Sequence, residues 1–307
     1  MDDKKVGLNE AQKPKRFQKN PIKGTKFTIA ISSAKGGVGK STFATNFALA
    51  LSKLGCKVGL LDADIYGPSL PKLFSINKKP ESDGKSLIPI LKYGIQCMSI
   101  GFLTDEQTPM IWRGPMVTSA IKTFTQKVLW KDLDFIIVDM PPGTGDTQLT
   151  FSQEISLDGV IIISTPQEIA LQDVIRGIQM FDKLKVKIIG LIDNMSYFKG
   201  DDGKKYPIFG EGGVKRTANE FNKEFLGEIP INPDVGRLGD IGTPIVEKDP
   251  NNEISIEDVE VIDPEAGLGD EVEYEISERE FQRIAHSTRP IILTLSLSNI
   301  CIPLITS

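Results

Sequence analysis

The chain alternates short, nearly unbroken aliphatic runs with longer stretches in which apolar side chains recur every three or four positions. The runs are Phe27-Thr-Ile-Ala-Ile-Ser-Ser33, Lys57-Val-Gly-Leu-Leu-Asp-Ala-Asp64, Asp134-Phe-Ile-Ile-Val-Asp139, Gly159-Val-Ile-Ile-Ile-Ser164 and Lys187-Ile-Ile-Gly-Leu-Ile192. Each has the length and composition of a strand buried on both faces. Between the first two, Phe43, Phe47, Leu51 and Leu54 are spaced as one face of a helix over 40–54, and 114–129 and 167–184 also read as helices. Ser86 to Ile100 reads as two short strands turning at Tyr93-Gly94. Buried strands alternating with amphipathic helices predict an α/β fold, a doubly wound, mostly parallel sheet with helices on both faces.

The ends of the chain break this rhythm. Residues 1–26 are polar and lysine-rich without a period and read as a flexible basic lead-in, 27–250 as the folded domain, and 251–307 as an acidic, then apolar tail. Formal net charge is −5, but 12 acidic residues stand against Arg279 between Glu253 and Glu280, so the remainder is basic. No basic stripe with interleaved aromatics suggests nucleic-acid binding. The start lacks the apolar core of a secretory signal, and Pro290 to Ser307 is too short and polar to span a bilayer. A cytoplasmic protein with neither nucleic-acid nor membrane partner is expected. One histidine (His286) and three scattered cysteines (Cys56, Cys97, Cys301) argue against a Ser-His-Asp triad, a Cys/His zinc site or a disulfide framework.

Chemistry concentrates in Ala34-Lys-Gly-Gly-Val-Gly-Lys-Ser-Thr42, placed between a predicted strand and a predicted helix. That is the context a phosphate-binding loop requires. Gly36, Gly37 and Gly39 allow successive backbone N–H groups to face one anion, and the helix beginning at Lys40 presents its positive end to the same point. Ala34, Lys35, Gly36, Gly37, Val38, Gly39, Lys40, Ser41 and Thr42 are therefore candidate nucleotide-binding residues. Lys40 is expected to reach the β- and γ-phosphates and the Ser41 hydroxyl to ligate Mg²⁺. Lys35 stands too early in the loop to fold back onto its own nucleotide and is expected to project outward.

Two carboxylate groups follow strand ends: Asp62-Ala-Asp64, and Asp139-Met-Pro-Pro-Gly-Thr-Gly-Asp146. In doubly wound sheets the carboxyl ends of strands converge on one crevice, where such groups can meet Mg²⁺ and ATP. Phosphoryl transfer needs a positioned water, a metal and charge neutralisation. Asp139 is expected to hold Mg²⁺ through water and Asp64 to orient the attacking water. Asp146 joins Lys35, Lys40 and Asp64 as a candidate catalytic residue, and the glycines and prolines of 141–145 suit a switch loop.

With both lysines in its loop, the sequence resembles the deviant Walker A ATPases, and within them the Mrp (ApbC-like) iron–sulfur cluster carriers. The resemblance runs from about Lys26 to Pro250 and rests on ordered motifs: Asp62-Ala-Asp-Ile-Tyr-Gly-Pro-Ser69, Trp112-Arg-Gly-Pro-Met116, Asp139 to Asp146, Ser164-Thr-Pro-Gln167, Asn194-Met-Ser-Tyr-Phe198, Ile208-Phe-Gly-Glu-Gly-Gly213 and Ile229-Pro-Ile-Asn-Pro233. It implies a cytosolic homodimeric ATPase that delivers iron–sulfur clusters to apo-proteins. It also implies that Lys35 crosses to the partner's nucleotide and that Asn194 reads the adenine edge. The chain departs from this pattern where many members carry Cys-x-x-Cys, since Lys199 to Lys205 contains no cysteine. The cluster ligands are thus left open, with Cys97 or Cys301 across a dimer as candidates within the chain. An ATP-switched assembly partner without its own cluster is the alternative, followed by a partitioning or septum-type ATPase.

Overall fold

The fold is that of a computed structural model, which describes residues 19–103 and 114–250. Trp112, His286, Cys301 and the acidic and apolar tail lie outside the described residues. In chain order the elements are β1 (Thr25–Ser32), α1 (Lys40–Lys53), β2 (Val58–Asp62), α2 (Leu70–Leu73), β3 (Ile90–Lys92), β4 (Ile95–Ser99), α3 (Gly114–Gln126), β5 (Leu133–Asp139) and α4 (Asp146–Glu154). Then follow β6 (Gly159–Ser164), α5 (Glu168–Lys183), β7 (Ile188–Lys199), β8 (Lys205–Tyr206), α6 (Gly213–Glu220), β9 (Phe225–Ile231), α7 (Pro233–Asp240) and α8 (Ile245–Lys248).

The aliphatic runs form the middle of one sheet, in the order β3-β4-β2-β5-β1-β6-β7-β8, with β9 also on β7. Strands β4, β2, β5, β1, β6, β7 and β9 pair in parallel, while β3 and β8 are antiparallel additions at hairpins. Burial on both faces explains the continuous apolar runs: every residue of β2 and β6 is buried. Helices α1, α2, α7 and α8 pack together, and α3 with α4 and α5 with α6 form separate pairs, as right-handed crossovers running both ways from β1 require. Phe43 and Phe47 stack with centroids 5.4 Å apart on the buried face of α1, and Phe27 and Phe135 stack at 5.6 Å in register across β1 and β5. The buried rings of Phe43, Phe47 and Phe135 are each worth roughly 2–3 kcal/mol, whereas Phe27 is only half-buried. Because the chain winds outward in both directions from β1, the loop after β1 opens at the topological switch point.

Several expectations shift in detail. The Tyr93-Gly94 turn forms with φ of 50° and 79°, both left-handed, as a two-residue hairpin turn requires. The helix expected over 114–129 stops at Gln126, because Val128 instead bridges Leu87 alongside the sheet. The polar lead-in ends earlier than residue 26: Asn20 N–H donates to Glu154 O at 2.7 Å and Ile22 is 3 % exposed. Strand β7 runs past the predicted Ile192 to Lys199, with Met195 at φ 57° where its register with β9 shifts. That irregularity decides where two polar side chains point.

One of them is Asp193, fully buried, with neither carboxylate oxygen hydrogen-bonded among the described residues. Burial, then the charge of Glu228 beside it on β9, pushes its pKa up to about 7; the Val214 N–H at the head of α6 lies near enough to offset only part of this. Since the unfolded value is near 4, the folded chain binds the extra proton between about pH 4 and 7, so this group's effect is a loss of stability as pH rises through that window. Asp193→Asn should therefore raise Tm at pH 8 by about 3 °C or more and leave it nearly unchanged at pH 4.5, measured by thermal denaturation. An equal shift at both pH values would show that the carboxyl is not the cause.

Candidate functional site

Strand β1 ends in buried Ile31 and Ser32, and the glycine-rich loop turns back into α1 over seven residues. Gly37 and Gly39 take φ of 80° and 84°, a left-handed backbone that an L side chain rarely adopts. Open space stands where a Cβ on Gly36 or Gly37 would lie, so the loop presents bare backbone outward. At Gly39 the reason is contact: a Cβ there would collide with the Asn194 side-chain amide. The loop is held from within by the Ser33 hydroxyl donating to Lys35 O at 2.9 Å, and from β7 by Asn194 Nδ2 donating to Val38 O at 2.7 Å.

The Lys40 side chain turns inward and is 6 % exposed. Its Nζ lies 2.5 Å from Asp139 Oδ1, 3.7 Å from Asp64 Oδ2 and 3.3 Å from Ser41 Oγ. Asp139 closes β5 and Asp64 stands two residues past β2, strands that are neighbours in the sheet. The converging strand ends thus bring Lys40, Ser41, Asp64 and Asp139 together. Burial pushes the Asp139 carboxyl up from its ordinary range, while the Lys40 charge and hydrogen bonds from Lys40 and Ser41 pull it down. The ion pair with Lys40 supports the ionised form.

Behind this group lies Asp62, whose carboxylate accepts from Ser69 N–H at 2.9 Å, Leu70 N–H at 3.0 Å, the Ser99 hydroxyl at 2.9 Å and Asp64 N–H at 3.2 Å. It therefore fixes the loop that carries Asp64. Burial and the nearby Asp139 charge push its pKa up to about 7, against the Leu70 N–H, Lys40 and Ser99. Gln148, in the first turn of α4, donates from Nε2 to the Ser32 hydroxyl beneath the loop. Sequence reasoning gave no role to Gln148 and none of its own to Asp62. For Asp62 the signal was present, since a carboxylate at the end of a fully apolar strand must find donors nearby.

Other candidates stand apart. Lys35 is exposed and makes no ion pair among the described residues. Asp146 is the exposed first residue of α4, and its carboxylate has no hydrogen-bond or ion-pair partner among the described residues. Asn194 is directed at the loop backbone. Ala34 and Thr42 flank the loop half-buried, and the Thr42 carbonyl accepts from Asn46 Nδ2.

Neither described cysteine approaches this group. Cys97 is fully buried on β4, its thiol donating weakly to Ile95 O at 3.8 Å and its pKa pushed well above the ordinary range by burial. As a candidate cluster ligand Cys97 is thus enclosed in the core of this subunit rather than presented at its surface. Cys56 is half-buried just before β2, at the opposite end of the strands, and burial raises its pKa to about 11. The hairpin that replaces the expected thiols closes on itself: Asp202 accepts from Lys204 N–H and from the Tyr206 hydroxyl, and Lys205 lies 4.1 Å over the Tyr197 ring. No group of three or more potential metal-ligating side chains occurs among the described residues. No helix among them is long and apolar enough to cross a membrane.

Comparison with known proteins agrees with this geometry. The chain is 46 % identical over 243 residues to an iron-sulfur cluster carrier protein of Aquifex aeolicus, covering 78 % of this chain and 67 % of that protein. It is 47 % identical over 237 residues to an Arabidopsis thaliana protein described as an iron-sulfur protein required for NADH dehydrogenase, mitochondrial, covering 76 % of each. Among solved structures, a nucleotide-binding protein in complex with ADP from Archaeoglobus fulgidus superposes with a TM-score of 0.63 at 39 % identity, over 71 % of this chain and 87 % of that one. A septum site-determining protein from Pyrococcus horikoshii, at 19 % identity over 75 % of this chain and 90 % of that one, shares the fold with a TM-score of 0.55. The family model for the NUBPL iron-transfer P-loop NTPases matches residues 24–263, and with a buried lysine–carboxylate group at the head of α1 the chain belongs to that family.

Proposed function

We propose that the chain is an ATP-hydrolysing carrier of iron–sulfur clusters, acting as a homodimer that delivers clusters to apo-proteins. The observation that carries the reading is the Lys40 ammonium buried between Asp139 and Asp64 beneath an open glycine loop. Relatives named as iron–sulfur cluster carrier and transfer proteins support the cargo. Free cysteines at 56 and 97 are what a reducing, cytosolic setting would leave.

The residues fit a nucleotide triphosphate with a divalent cation. The open backbone of Gly36 and Gly37 and the first turn of α1 would face the phosphates, and Lys40 would exchange its carboxylate contacts for phosphate oxygens. Mg²⁺, held by Ser41 and through water by Asp139, would neutralise charge at the β- and γ-phosphates. Asp64, buried and fixed by neighbouring backbone, would orient the water that attacks the γ-phosphorus, with ADP as the leaving group. Lys35, exposed and without an ion-pair partner among the described residues, would reach the other subunit's nucleotide. Asn194 would present its amide oxygen toward the base while its Nδ2 holds Val38. Exposed Asp146 at the head of α4 would respond to the γ-phosphate through the 141–145 loop.

A second reading is favoured by one observation: the described thiols are buried or lie at the far end of the strands. In it the chain is an ATP-switched assembly partner that holds no cluster. Iron and acid-labile sulfide measured on protein isolated without oxygen separate the two. Stoichiometric sulfide that survives Cys56→Ser and Cys97→Ser supports the carrier; ATP turnover with no sulfide after anaerobic reconstitution supports the partner.

Binding of a fluorescent ATP analogue and phosphate release test the site. Lys40→Ala should abolish binding. Lys35→Ala should retain binding within about twofold while hydrolysis falls by two orders of magnitude or more, the scale of a lost charge-stabilising contact in phosphoryl transfer. Normal turnover by Lys35→Ala would remove the crossed-lysine dimer.

A further inference from the structure

We propose that Tyr66 is a positioning residue for ATP hydrolysis: its hydroxyl, paired with that of Thr147, latches the loop carrying Asp64 to the head of α4. The proposal rests on the ATPase reading above and adds to it a tether between the two loops that flank the γ-phosphate side of the site. Tyr66 Oη and Thr147 Oγ1 lie 2.8 Å apart and join residues 81 positions apart in sequence.

On one side of this bond, the Tyr66 N–H donates to Asp64 Oδ1 at 3.1 Å. The other oxygen of that carboxylate faces Lys40 Nζ at 3.7 Å, and the same ammonium is bound to Asp139. On the other side, Thr147 is the second residue of α4, directly after the glycine- and proline-rich 141–145 loop. Its neighbour Gln148 donates to the Ser32 hydroxyl at the end of β1. A continuous chain of polar contacts therefore runs from α4 through Tyr66 and Asp64 to the loop lysine.

The Tyr66 ring is 66 % exposed. Burial therefore contributes little to holding it in place, and the hydroxyl pair is what ties it to α4. Asp64 stands beyond hydrogen-bond distance from Lys40, so its placement depends on the Tyr66 backbone more than on the ion pair. Movement of the 141–145 loop would pass through Thr147 to Tyr66 and shift the carboxylate. Misplacing a reacting group by about 1 Å can cost about a hundredfold in rate, so a tether here bears on turnover without touching nucleotide.

Tyr66→Phe removes one oxygen from an exposed ring and leaves no cavity, so the fold is retained. Steady-state hydrolysis by the full chain gives kcat and KM, and a fluorescent analogue gives Kd. Tyr66→Phe and Thr147→Val should each lower kcat roughly three- to tenfold with KM and Kd within about twofold. The double variant should fall no further than the lower single, and Thr147→Ser, which keeps the hydroxyl, should restore the rate. Wild-type kcat in Tyr66→Phe, a parallel loss of affinity, or independent multiplication of the two effects would each overturn the latch. A wild-type chain without ATP turnover would instead remove the ATPase reading, and the latch with it.

Discussion

A lysine ammonium taken out of water must be given a counter-charge, and Lys40 imposes that requirement on everything around it. An unpaired buried charge costs several kcal/mol, and removing one partner of a buried pair commonly costs about 3–5 kcal/mol. Carboxylates must therefore arrive at the head of α1 from two other strands, and the sheet order supplies them. Strand β5 lies directly between β1 and β2, so Asp139 at its end meets the loop that leaves β1, and Asp64 comes from the adjoining strand. Charge held in this way is also available for exchange. A phosphate that took the ammonium would release Asp139 from its ion pair, and would so tie occupancy of the loop to the end of β5 and to the segment leading into α4.

The far side of the loop depends on β7. Side chains alternate between faces along a strand, and at its irregular end β7 sends Asn194 to the glycine loop and Asp193 to the α6 side. Asn194 fills the space that the missing Cβ of Gly39 leaves, so the left-handed glycine and the amide depend on one another. Asp193 has no such side-chain partner among the described residues. A carboxyl that is neutral when the surrounding pH permits, buried one residue from a contact to the nucleotide loop, places a destabilising element where the structure carries its most specific polar contact. Such local strain is common beside functional sites.

The strands that build the sheet were legible because burial on both faces leaves no polar positions, and an uninterrupted aliphatic run such as Gly159 to Ser164 has few other uses. The phosphate loop was legible for a different reason: three glycines and a lysine at fixed spacing between a strand and a helix answer a geometric demand. What sequence did not disclose were contacts between side chains far apart in the chain. Gln148 under Ser32, Tyr66 against Thr147 and Asn194 under Val38 join segments that only the crossover topology makes neighbours. Asn194 was singled out, but for a ligand edge, and its bond to Val38 has no signature in spacing. The end of the 114–129 helix was misplaced because Val128 fits a helical period and a bridge to Leu87 equally well, and only the neighbouring chain decides between them.

The cysteines show how topology limits function more strictly than composition does. Cys56 precedes β2 while Asp62 ends it, so a thiolate there and the nucleotide loop stand at opposite ends of the strands, ~17 Å apart along five residues of strand. For nucleotide state to govern cluster release, the two sites must share a moving part, and the segments that meet the glycine loop and Lys40 leave β2, β5 and β7 at the other end of the strands. Cys97 is enclosed in the core beside β3, where deprotonation is opposed by burial and access requires unfolding of the sheet margin. A cluster controlled by this ATPase must therefore draw its ligands from outside the described residues, from a second subunit's corresponding segment, or from the protein that receives it. The middle case needs the same segment to carry a thiol, and among the chain's three cysteines only Cys301 lies outside the described residues.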